Sequence, residues 1–402
     1  MGGTSSAGDH GVKRTPHAPA RERLNYLDWL RVVALFGVFL YHCLQPFSTD
    51  DWHVKNAELS DAITIPISFF GTWGIGFFFL ISGAGTCLAL RWRSMGEYVA
   101  ERLTRLLLPL VVAYVLLGPL QAYIEASHFG RFEGSFLVFV PRFFDEVGDQ
   151  VLGIGVGSDP LLVGYMFHLW FVVFLLWYSL LGIPVFLWLR GRRGRHVIDR
   201  LGDRARRRGF TLLAAVPIVL ATAPVYAAFP DEHDWGEFVY LAGFFLAGFV
   251  LMSDGRLMAA VRRDLVPAPA VGIAGFLVLM VGDVDAFIER WEGSTPYSWE
   301  YVAFFGTIAI QAWAWAATSI GMRVPAFARP LPRIVSDAAM PFFVVHQPVI
   351  VAVAFVVVGW DAGIGAKLLA VIVVSVALAW ALARIPVVSL GLGVKRRAAA
   401  RP

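Results

Sequence analysis

Ten stretches of about 20 apolar residues, each the length of a bilayer-spanning helix, recur along this chain of 402 residues. An α-helix rises about 1.5 Å per residue, so each stretch can cross the roughly 30 Å hydrocarbon core of a membrane. Because 57% of the residues are hydrophobic and only 16% are charged, an ordinary soluble domain is excluded. We predict an all-α polytopic membrane protein, a bundle of about ten transmembrane helices. The predicted spans are residues 27–47, 63–90, 104–124, 161–189, 210–229, 235–252, 265–282, 300–321, 335–358 and 364–388.

The charges of the connections alternate in sign along the chain. One alternate set of connections and tails holds 27 of the 34 Lys and Arg residues, and the other holds 20 of the 30 Asp and Glu residues. Basic connections are retained on the cytoplasmic side of a membrane, so the pattern predicts that both termini are cytoplasmic. The basic set comprises 1–23, 91–105, 190–208, 253–264, 323–333 and 395–402, and the acidic set comprises 50–61, 125–160, 230–237, 283–300 and the turn at Asp361.

The two ends of the chain differ from the apolar spans between them. Residues 1–23 are polar, without the apolar core or cleavage site of a secretory signal, and are predicted to be a disordered cytosolic tail. Residues 24–390 are predicted to form one transmembrane domain of a multi-pass cell-membrane protein, followed by a basic cytosolic tail at 391–402. We attribute the arginine-rich run 190–208 to the cytoplasmic membrane surface, in contact with anionic lipid, rather than to nucleic-acid binding.

Two further patterns limit the chemistry. Cys43 and Cys87 are predicted to lie near opposite faces of the membrane, so a disulfide between them is not expected. The sequence has no CxxC or HExxH spacing, so no metal is expected.

The first predicted span carries three ionisable residues, Asp28, Arg31 and His42. Such groups are costly to bury in a membrane, so each needs a partner or a function. Arg31 and His42 are about 16 Å apart along the helix axis and lie nearly on the same face. His42 is either a general base or a hydrogen-bond partner of a neighbouring span. Arg31 either takes part in function or simply pairs with Asp28, three residues earlier.

Small and basic residues stand where the second span ends and the third begins. Ser82 and Gly83 interrupt a run of large apolar side chains, which permits close approach by either a helix or a ligand. Arg102 and Arg105, three residues apart, are predicted to share a helix face. They either bind phosphate groups or serve as ordinary basic anchors at the membrane surface.

Two more histidines fall in or beside predicted spans. His168, next to Trp170 at the start of the fourth span, is predicted at about the same depth as His42. It either lines the same cavity or lies at the membrane interface beside an aromatic residue. His346 lies in the ninth span, close to Pro348, which frees a backbone carbonyl for polar neighbours. A structural role and a functional role both fit this position.

Together these residues resemble the acyltransferase-3 family of integral membrane acyltransferases, over residues 24–358. Arg31 and His42 match the family's Arg-x10-His motif, and RLTR at 102–105 resembles its Arg-x-x-Arg segment. FFFLISGA resembles the segment Phe-Phe-x-x-Ser-Gly-Phe, with Ala84 in place of the usual aromatic residue. HLWF and MPFFVVH also resemble family features, and HLWFVVFLLWYSL is similar to the branch that includes the membrane glucan-biosynthesis protein C.

The resemblance implies a membrane O-acyltransferase. Its donor substrate would be cytosolic acyl-CoA, carrying acetyl or succinyl, and its acceptor a hydroxyl of an extracytoplasmic glycan or similar molecule. The longest outer connection, 125–160, is expected to contact the acceptor. The resemblance implies that Arg31 and His42 take part in catalysis, with His42 as general base. It implies acyl-CoA binding by Arg102, Arg105, Ser82 and Gly83. It implies substrate binding by His168, Trp170 and His346.

A transporter is the alternative interpretation. In a proton-coupled carrier or a flippase for a lipid-linked precursor, Arg31 and His42 would line the transport pathway. That interpretation fits the same membrane topology, but it leaves the RLTR and SGA segments unexplained. Binding or hydrolysis of acyl-CoA would distinguish the two classes of protein.

Overall fold

The computed structural model describes residues 24–151, 166–229, 233–281 and 298–385, and the predicted tails 1–23 and 391–402 lie outside them. The regular structure of the described residues is helical. Short 3₁₀ turns and one π-helical turn, Leu103–Leu107, join some of the helices. The α-helices are α1 Asn25–Leu44, α2 Asp61–Trp92, α3 Met95–Arg102, α4 Leu108–His128, α5 Phe136–Val151, α6 Trp170–Leu181, α7 Ile183–Arg190, α8 Arg192–Arg204, α9 Ala215–Ala228, α10 Trp235–Ser253, α11 Gly255–Arg263, α12 Pro267–Val281, α13 Ser298–Arg323, α14 Arg333–Val357 and α15 Ile364–Ala383.

Seven helical segments of the described residues are long and apolar enough to cross a membrane. A bent pair, Phe167–Leu181 with Ile183–Arg190, makes an eighth if the two act as one span. The predicted spans 265–282 and 300–321 fall on α12 and α13, which are not among the seven, so the number ten stays a prediction. The seven segments are Asn25–Phe47, Asp61–Trp92, Met95–His128, Phe210–Ala228, Trp235–Ser253, Arg333–Val357 and Ile364–Ala383.

Helices α2 and α10 pack with their backbones in contact. A Cβ atom at Gly83 would overlap the carbonyl oxygen of Phe245, and a Cβ at Gly248 would overlap the carbonyl oxygen of Leu80. Each helix therefore presents a glycine to the backbone of the other. Small residues at such positions allow transmembrane helices to approach closely and to gain van der Waals contact.

Helix α1 packs against α2, α13 and α14, and is held at both ends. Leu30, near its start, fits against Gly321 of α13, where an added Cβ would collide with the leucine side chain. Phe39, near its end, is fully buried, and its ring centroid is 5.6 Å from that of Phe342 on α14. The two ends of α1 are thus fixed by contacts with different helices.

The basic connections meet at the end of the bundle that carries Arg31, which we call the arginine end; the opposite end, with His42, is the histidine end. Arg256 of α11 donates to Asp199 at 2.9 Å and to Asp203 at 2.8 Å, both on α8. It also donates to Asp254, and this hydrogen bond lowers the pKa of the Asp254 carboxyl. Arg256 thus links α8 to the connection between α10 and α11 through ion pairs with carboxylates on both sides.

The two cysteines lie at opposite ends of the bundle. Cys43 is buried near the end of α1, whereas Cys87 lies on α2 near the arginine end, with its sulfur 3.6 Å from Ser253 Oγ. Both are free thiols, in agreement with the prediction from their membrane depths.

Candidate active site

Three histidines from separate segments meet at the histidine end, and we call them the histidine cluster. The ring centroid of His42, on α1, is 5.3 Å from that of His346 on α14. It is 6.4 Å from that of His168, in the turn Phe167–Leu169. The centroids of His168 and His346 are 5.0 Å apart, and both side chains are buried. The sequence predicts that His168 either lines the same cavity as His42 or lies at the membrane interface. The structure places it beside His42.

Backbone carbonyls of α14 set the tautomers of two cluster rings. Pro348 has no N–H, so the carbonyl of Val344 lacks its helical partner, and His168 Nε2 donates to it at 3.1 Å. His346 Nδ1 donates to the carbonyl of Phe343. A neutral imidazole that donates through one nitrogen accepts through the other. His168 Nδ1 and His346 Nε2 therefore carry the free lone pairs.

Each ring of the cluster keeps one buried nitrogen that has no hydrogen-bond partner among the described residues. These atoms are His42 Nδ1, His168 Nδ1 and His346 Nε2. Leaving a buried polar atom unpaired costs about 1–3 kcal/mol, so native structures rarely do so without a ligand or water. Two of these atoms, His168 Nδ1 and His346 Nε2, are acceptors, so the cluster can bind a molecule that donates hydrogen bonds, such as a hydroxyl compound. Imidazole can also accept a proton from it near neutral pH.

Imidazole is a common metal ligand as well, so the cluster needs a geometric test. In the part of the chain that the structure describes, no group of three or more His, Cys, Asp or Glu residues has a geometry that could hold a metal ion. One nitrogen each of His168 and His346 is also taken up by a carbonyl. The prediction of chemistry without a metal stays a prediction.

A second polar group, absent from the residues singled out in the sequence, adjoins the cluster. His53, in the loop 48–60, donates from Nδ1 to Glu125 Oε2 of α4 at 2.6 Å. The amide nitrogens of Gln347 and Gln121 lie 2.9 Å and 3.1 Å from His53 Nε2 and share the single lone pair of that atom. These partners are 68 to 294 residues away in sequence, so no local pattern predicts them. One signal was available, because His53 and Glu125 belong to connections predicted on the same membrane side as His42.

At the arginine end, Arg31 has two contacts of different kinds. Its Nη1 pairs with Asp28 Oδ1 at 2.9 Å, which is the local ion pair expected from the spacing. The other side of the guanidinium lies against Gly85 of α2, where any Cβ would overlap Nη2. Arg31 is also within electrostatic range of Arg102. The ion pair with Asp28 does not explain the glycine at position 85 of α2. The sequence pattern did not predict the contact between Arg31 and Gly85.

Arg102 is the last residue of α3, and its side chain contacts both α2 and α3. Its Nη2 donates to Thr86 Oγ1 at 3.2 Å, and its guanidinium carbon is 4.8 Å from the ring centre of Tyr98. Thr86 and Tyr98 are both fully buried. The Nε of Arg102 is buried and has no hydrogen-bond partner within the described residues. Arg102 therefore faces the interior of the bundle near Arg31 and retains a donor for a ligand.

Arg105 has different neighbours, although it follows Arg102 by only three residues. Its side chain is 56% exposed and pairs with Glu101 at 3.3 Å. The residues between them belong to the π-helical turn Leu103–Leu107, which is wider than an α-helical turn. Arg102 and Arg105 therefore do not share a helix face, although their spacing in an α-helix predicts one. Arg105 instead borders a groove of about 460 Å³ that is lined by Trp92, Arg93, Glu97, Ala100, Glu101 and Thr104.

Gly83 and Ser82, the small residues near the end of α2, have different surroundings. The space beside Gly83 is filled by the backbone of α10, so the structure shows the helix-packing alternative for this residue. Ser82 is half-buried, one helical turn from Thr86. Its assignment to donor binding stays a prediction.

Trp170 lies on the α10 side of the cluster. It begins α6, directly after the turn that carries His168, and stacks on His233 with a centroid distance of 4.2 Å. His233 Nδ1 donates to Glu237 Oε2 at 3.0 Å, which orients the stacked pair. Trp170 thus packs against His233, and it is connected to the cluster by its place in the chain, two residues after His168.

The fold and the site define a multi-pass helical membrane protein with a buried cluster of imidazoles suited to proton transfer. Among known families, residues 24–384 match the family model of the acyltransferase domain, acyltransferase-3. The match covers most of the chain, so the protein belongs to the acyltransferase-3 family and is an acyltransferase. This confirms the resemblance inferred from the motifs and favours the enzyme over the transporter. No curated protein and no solved structure matches the chain.

Proposed function

We propose that the protein is a membrane O-acyltransferase that moves an acetyl or succinyl group from cytosolic acyl-CoA to a hydroxyl of an extracytoplasmic glycan or similar acceptor. His42 is the general base. One observation carries the proposal: the unpartnered His42 Nδ1 lies in the histidine cluster, at the opposite end of the same packed helix from Arg31. A donor held at one membrane surface and an acceptor at the other require such a separation.

The orientation follows from charge. The basic connections contact one another at the arginine end, where Arg256 joins two of them and Arg91 donates to the carbonyl of Met252. Basic connections are retained in the cytoplasm, so this end faces the cytosol and both termini are cytoplasmic. The histidine end then faces outward, and the acceptor reaches the cluster from that side.

The donor is held by arginines of different exposure. Arg105 binds a phosphate in the exposed groove, while the free Nε of Arg102 supplies a charge-assisted hydrogen bond deeper in the bundle. Arg31 and Ser82 border the path from there toward the histidine end. Arg31 and His42 are about 16 Å apart along α1, a distance that an extended pantetheine arm can span. Gly83 contributes by holding α2 against α10 rather than by touching the donor.

The transfer reaction requires one proton to be taken up and returned. His42 removes the proton of the acceptor hydroxyl as its oxygen forms a bond to the thioester carbonyl carbon. The carbon–sulfur bond then breaks, and His42 returns the proton to the sulfur of coenzyme A. The lone pairs of His168 Nδ1 and His346 Nε2 accept hydrogen bonds from the acceptor, and Trp170 offers it an apolar surface. General-base catalysis of this kind contributes about 10²–10⁴-fold in rate.

Transfer of radiolabel from acetyl-CoA in inside-out vesicles tests the proposal. We expect label in a carbohydrate fraction with the wild type and a loss of about 100-fold or more in His42→Ala, because the base is removed. His196→Ala, an exposed histidine of α8, is the matched control and keeps wild-type activity. Equal label with His42→Ala would refute the base assignment. No transfer by the wild type from either acetyl-CoA or succinyl-CoA would refute the function.

Membrane lipid is the other partner that we propose. Arg192, Arg193 and Arg195 on α8 lie at the arginine end and border an open groove of about 540 Å³. On the cytoplasmic side of a bilayer, such a surface attracts anionic headgroups, at about 1 kcal/mol per basic residue. This accounts for the arginine-rich run without nucleic acid.

A further inference from the structure

The loop 48–60 at the histidine end is held in one position by neighbouring segments. Lys55 Nζ donates to the carbonyls of Gln45, Ser48 and Asp50 at 2.8, 2.6 and 2.7 Å. Asn56 N–H donates to the carbonyl of Pro46 at 2.8 Å. Val54, in the middle of the loop, is fully buried. The loop is therefore a preorganised part of the bundle.

Two helices distant in sequence anchor the same loop. Lys367 Nζ of α15 donates to Asn56 Oδ1 at 2.9 Å. The backbone N–H of Lys55 donates to His128 Nε2 at 3.0 Å, at the end of α4. With these anchors in place, the position of the loop does not depend on His53 alone.

Within this loop, the Glu125 carboxylate determines which nitrogen of His53 carries the proton. An ionised carboxylate only accepts hydrogen bonds, so His53 Nδ1 is the donor, and in the neutral ring Nε2 is then the acceptor. Gln347 must then turn its amide nitrogen toward His53, as observed at 2.9 Å. Its Oε1 is left buried and without a hydrogen-bond partner among the described residues. Arg131 pairs with the same carboxylate at 3.4 Å.

The oriented group lies against the histidine cluster. Gln347 directly follows His346 in α14, and the ring of Trp52 is nearly parallel to that of His42 with a centroid distance of 6.4 Å. The ring centroid of His53 is 5.5 Å from that of Phe167. Gln347 Oε1 is thus a further buried, unpaired acceptor on the helix that carries His346, in addition to His168 Nδ1 and His346 Nε2.

We propose that the loop 48–60 forms the acceptor-facing side of the active site, and that Glu125 is its positioning residue. Trp52 and His53 contact the acceptor, and Glu125, through the tautomer of His53, keeps Gln347 Oε1 available to accept a hydrogen bond from it. This rests on the proposed acyl transfer. It assigns acceptor contact to the short loop rather than to the connection 125–160, part of which lies outside the described residues.

The test is the fate of the acyl group in Glu125→Gln. A glutamine can donate to or accept from His53, so the tautomer is no longer specified and the acceptor is misplaced. In vesicles supplied with labelled acetyl-CoA, we expect transfer to endogenous carbohydrate to fall at least tenfold. The KM for acetyl-CoA stays within twofold, and a larger share of the consumed donor appears as free acetate. Glu125→Asp restores part of the transfer, and Asp361→Asn, an exposed carboxylate of the turn before α15, leaves it unchanged.

A second measurement separates positioning from loss of structure. Val54→Cys introduces a buried thiol into the loop, which a membrane-impermeant maleimide labels only if the loop opens. We expect it to stay protected in the Glu125→Gln background, because Lys55 and Lys367 still hold the loop. Three results would overturn this inference without touching the proposed function. They are labelling of the introduced thiol in the Glu125→Gln background, a KM for acetyl-CoA that rises with the transfer defect, and normal transfer by Glu125→Gln beside an active wild type. An inactive wild type would overturn the proposed function and this inference with it.

Discussion

Arg31 comes close to the backbone of α2 because residue 85 is a glycine. An added methyl group there would occupy the position of Arg31 Nη2. The atom displaced is the end of a flexible side chain, so the helix itself need not move. Position 85 therefore determines the location of the guanidinium more than it determines the stability of the fold.

We expect Gly85→Ala to reduce acyl transfer at least tenfold with little change in thermal stability, since it moves Arg31 away from the donor path. Initial rates at varied acetyl-CoA concentration, together with thermal unfolding in detergent, check both parts. Gly96→Ala on α3, where an added Cβ meets nothing within 4 Å, is the control. A fully active Gly85→Ala protein would contradict the assignment of Arg31 to the site.

Pro348 offers a second test at the scale of one residue, because it has opposite effects on stability and on the site. It breaks one backbone hydrogen bond of α14, yet it leaves the Val344 carbonyl free to orient His168. In Pro348→Ala, the new N–H can take that carbonyl, and the His168 tautomer is no longer fixed. We expect slower transfer in a protein whose free energy of unfolding is unchanged or higher, by up to about 3 kcal/mol.

Pro341→Ala is the matched control, since this proline belongs to the same helix but leaves free the carbonyl of Asp337 rather than that of Val344. Kinetics and unfolding of the two variants are compared side by side. A Pro348→Ala protein with the transfer rate of the Pro341→Ala protein would show that the His168 hydrogen bond does not matter for the reaction.

At the scale of helices, the contact between α2 and α10 governs the position of the site. Gly83 and Gly248 bring the two backbones together, and the continuation of α2 carries Gly85 and Thr86, which contact Arg31 and Arg102. A shift of α2 relative to α10 would therefore move the contacts of both arginines. Ser82 and Gly83 are adjacent in sequence, but only the glycine is committed to this packing.

We expect Gly83→Ala to destabilise the protein by about 1–3 kcal/mol, as overpacking of a close helix contact does. The added methyl group meets a backbone carbonyl, which cannot rotate away as a side chain can. Thermal unfolding in detergent measures the effect. Gly365→Ala on α15, which is exposed and has no described neighbour within 4 Å of the added Cβ, should show no loss. Equal stability of the two variants would argue against the backbone contact between α2 and α10.

At the scale of the whole molecule, the bundle separates a basic end from a histidine-rich end along the direction of its helices. Cys43 and Cys87 are buried, so an introduced surface cysteine gives a clean labelling signal. We expect a membrane-impermeant maleimide to label Glu58→Cys in intact cells and Arg195→Cys only in inside-out vesicles, because basic connections are cytoplasmic. The reverse pattern would invert the proposed directions of donor and acceptor.

The sequence by itself determined the membrane class of the protein, most of its helices and the placement of Arg31 and His42 at opposite ends of one helix. These features depend on local composition and helical spacing, which neighbouring residues specify. Only the tertiary structure decided that His168 and His346 join His42, that Gly85 accommodates Arg31, and that the contacts of Arg102 and Arg105 diverge at a π-helical turn. The His53 contacts likewise link residues 68 to 294 positions apart, and such pairings arise from how helices pack rather than from any pattern within a helix.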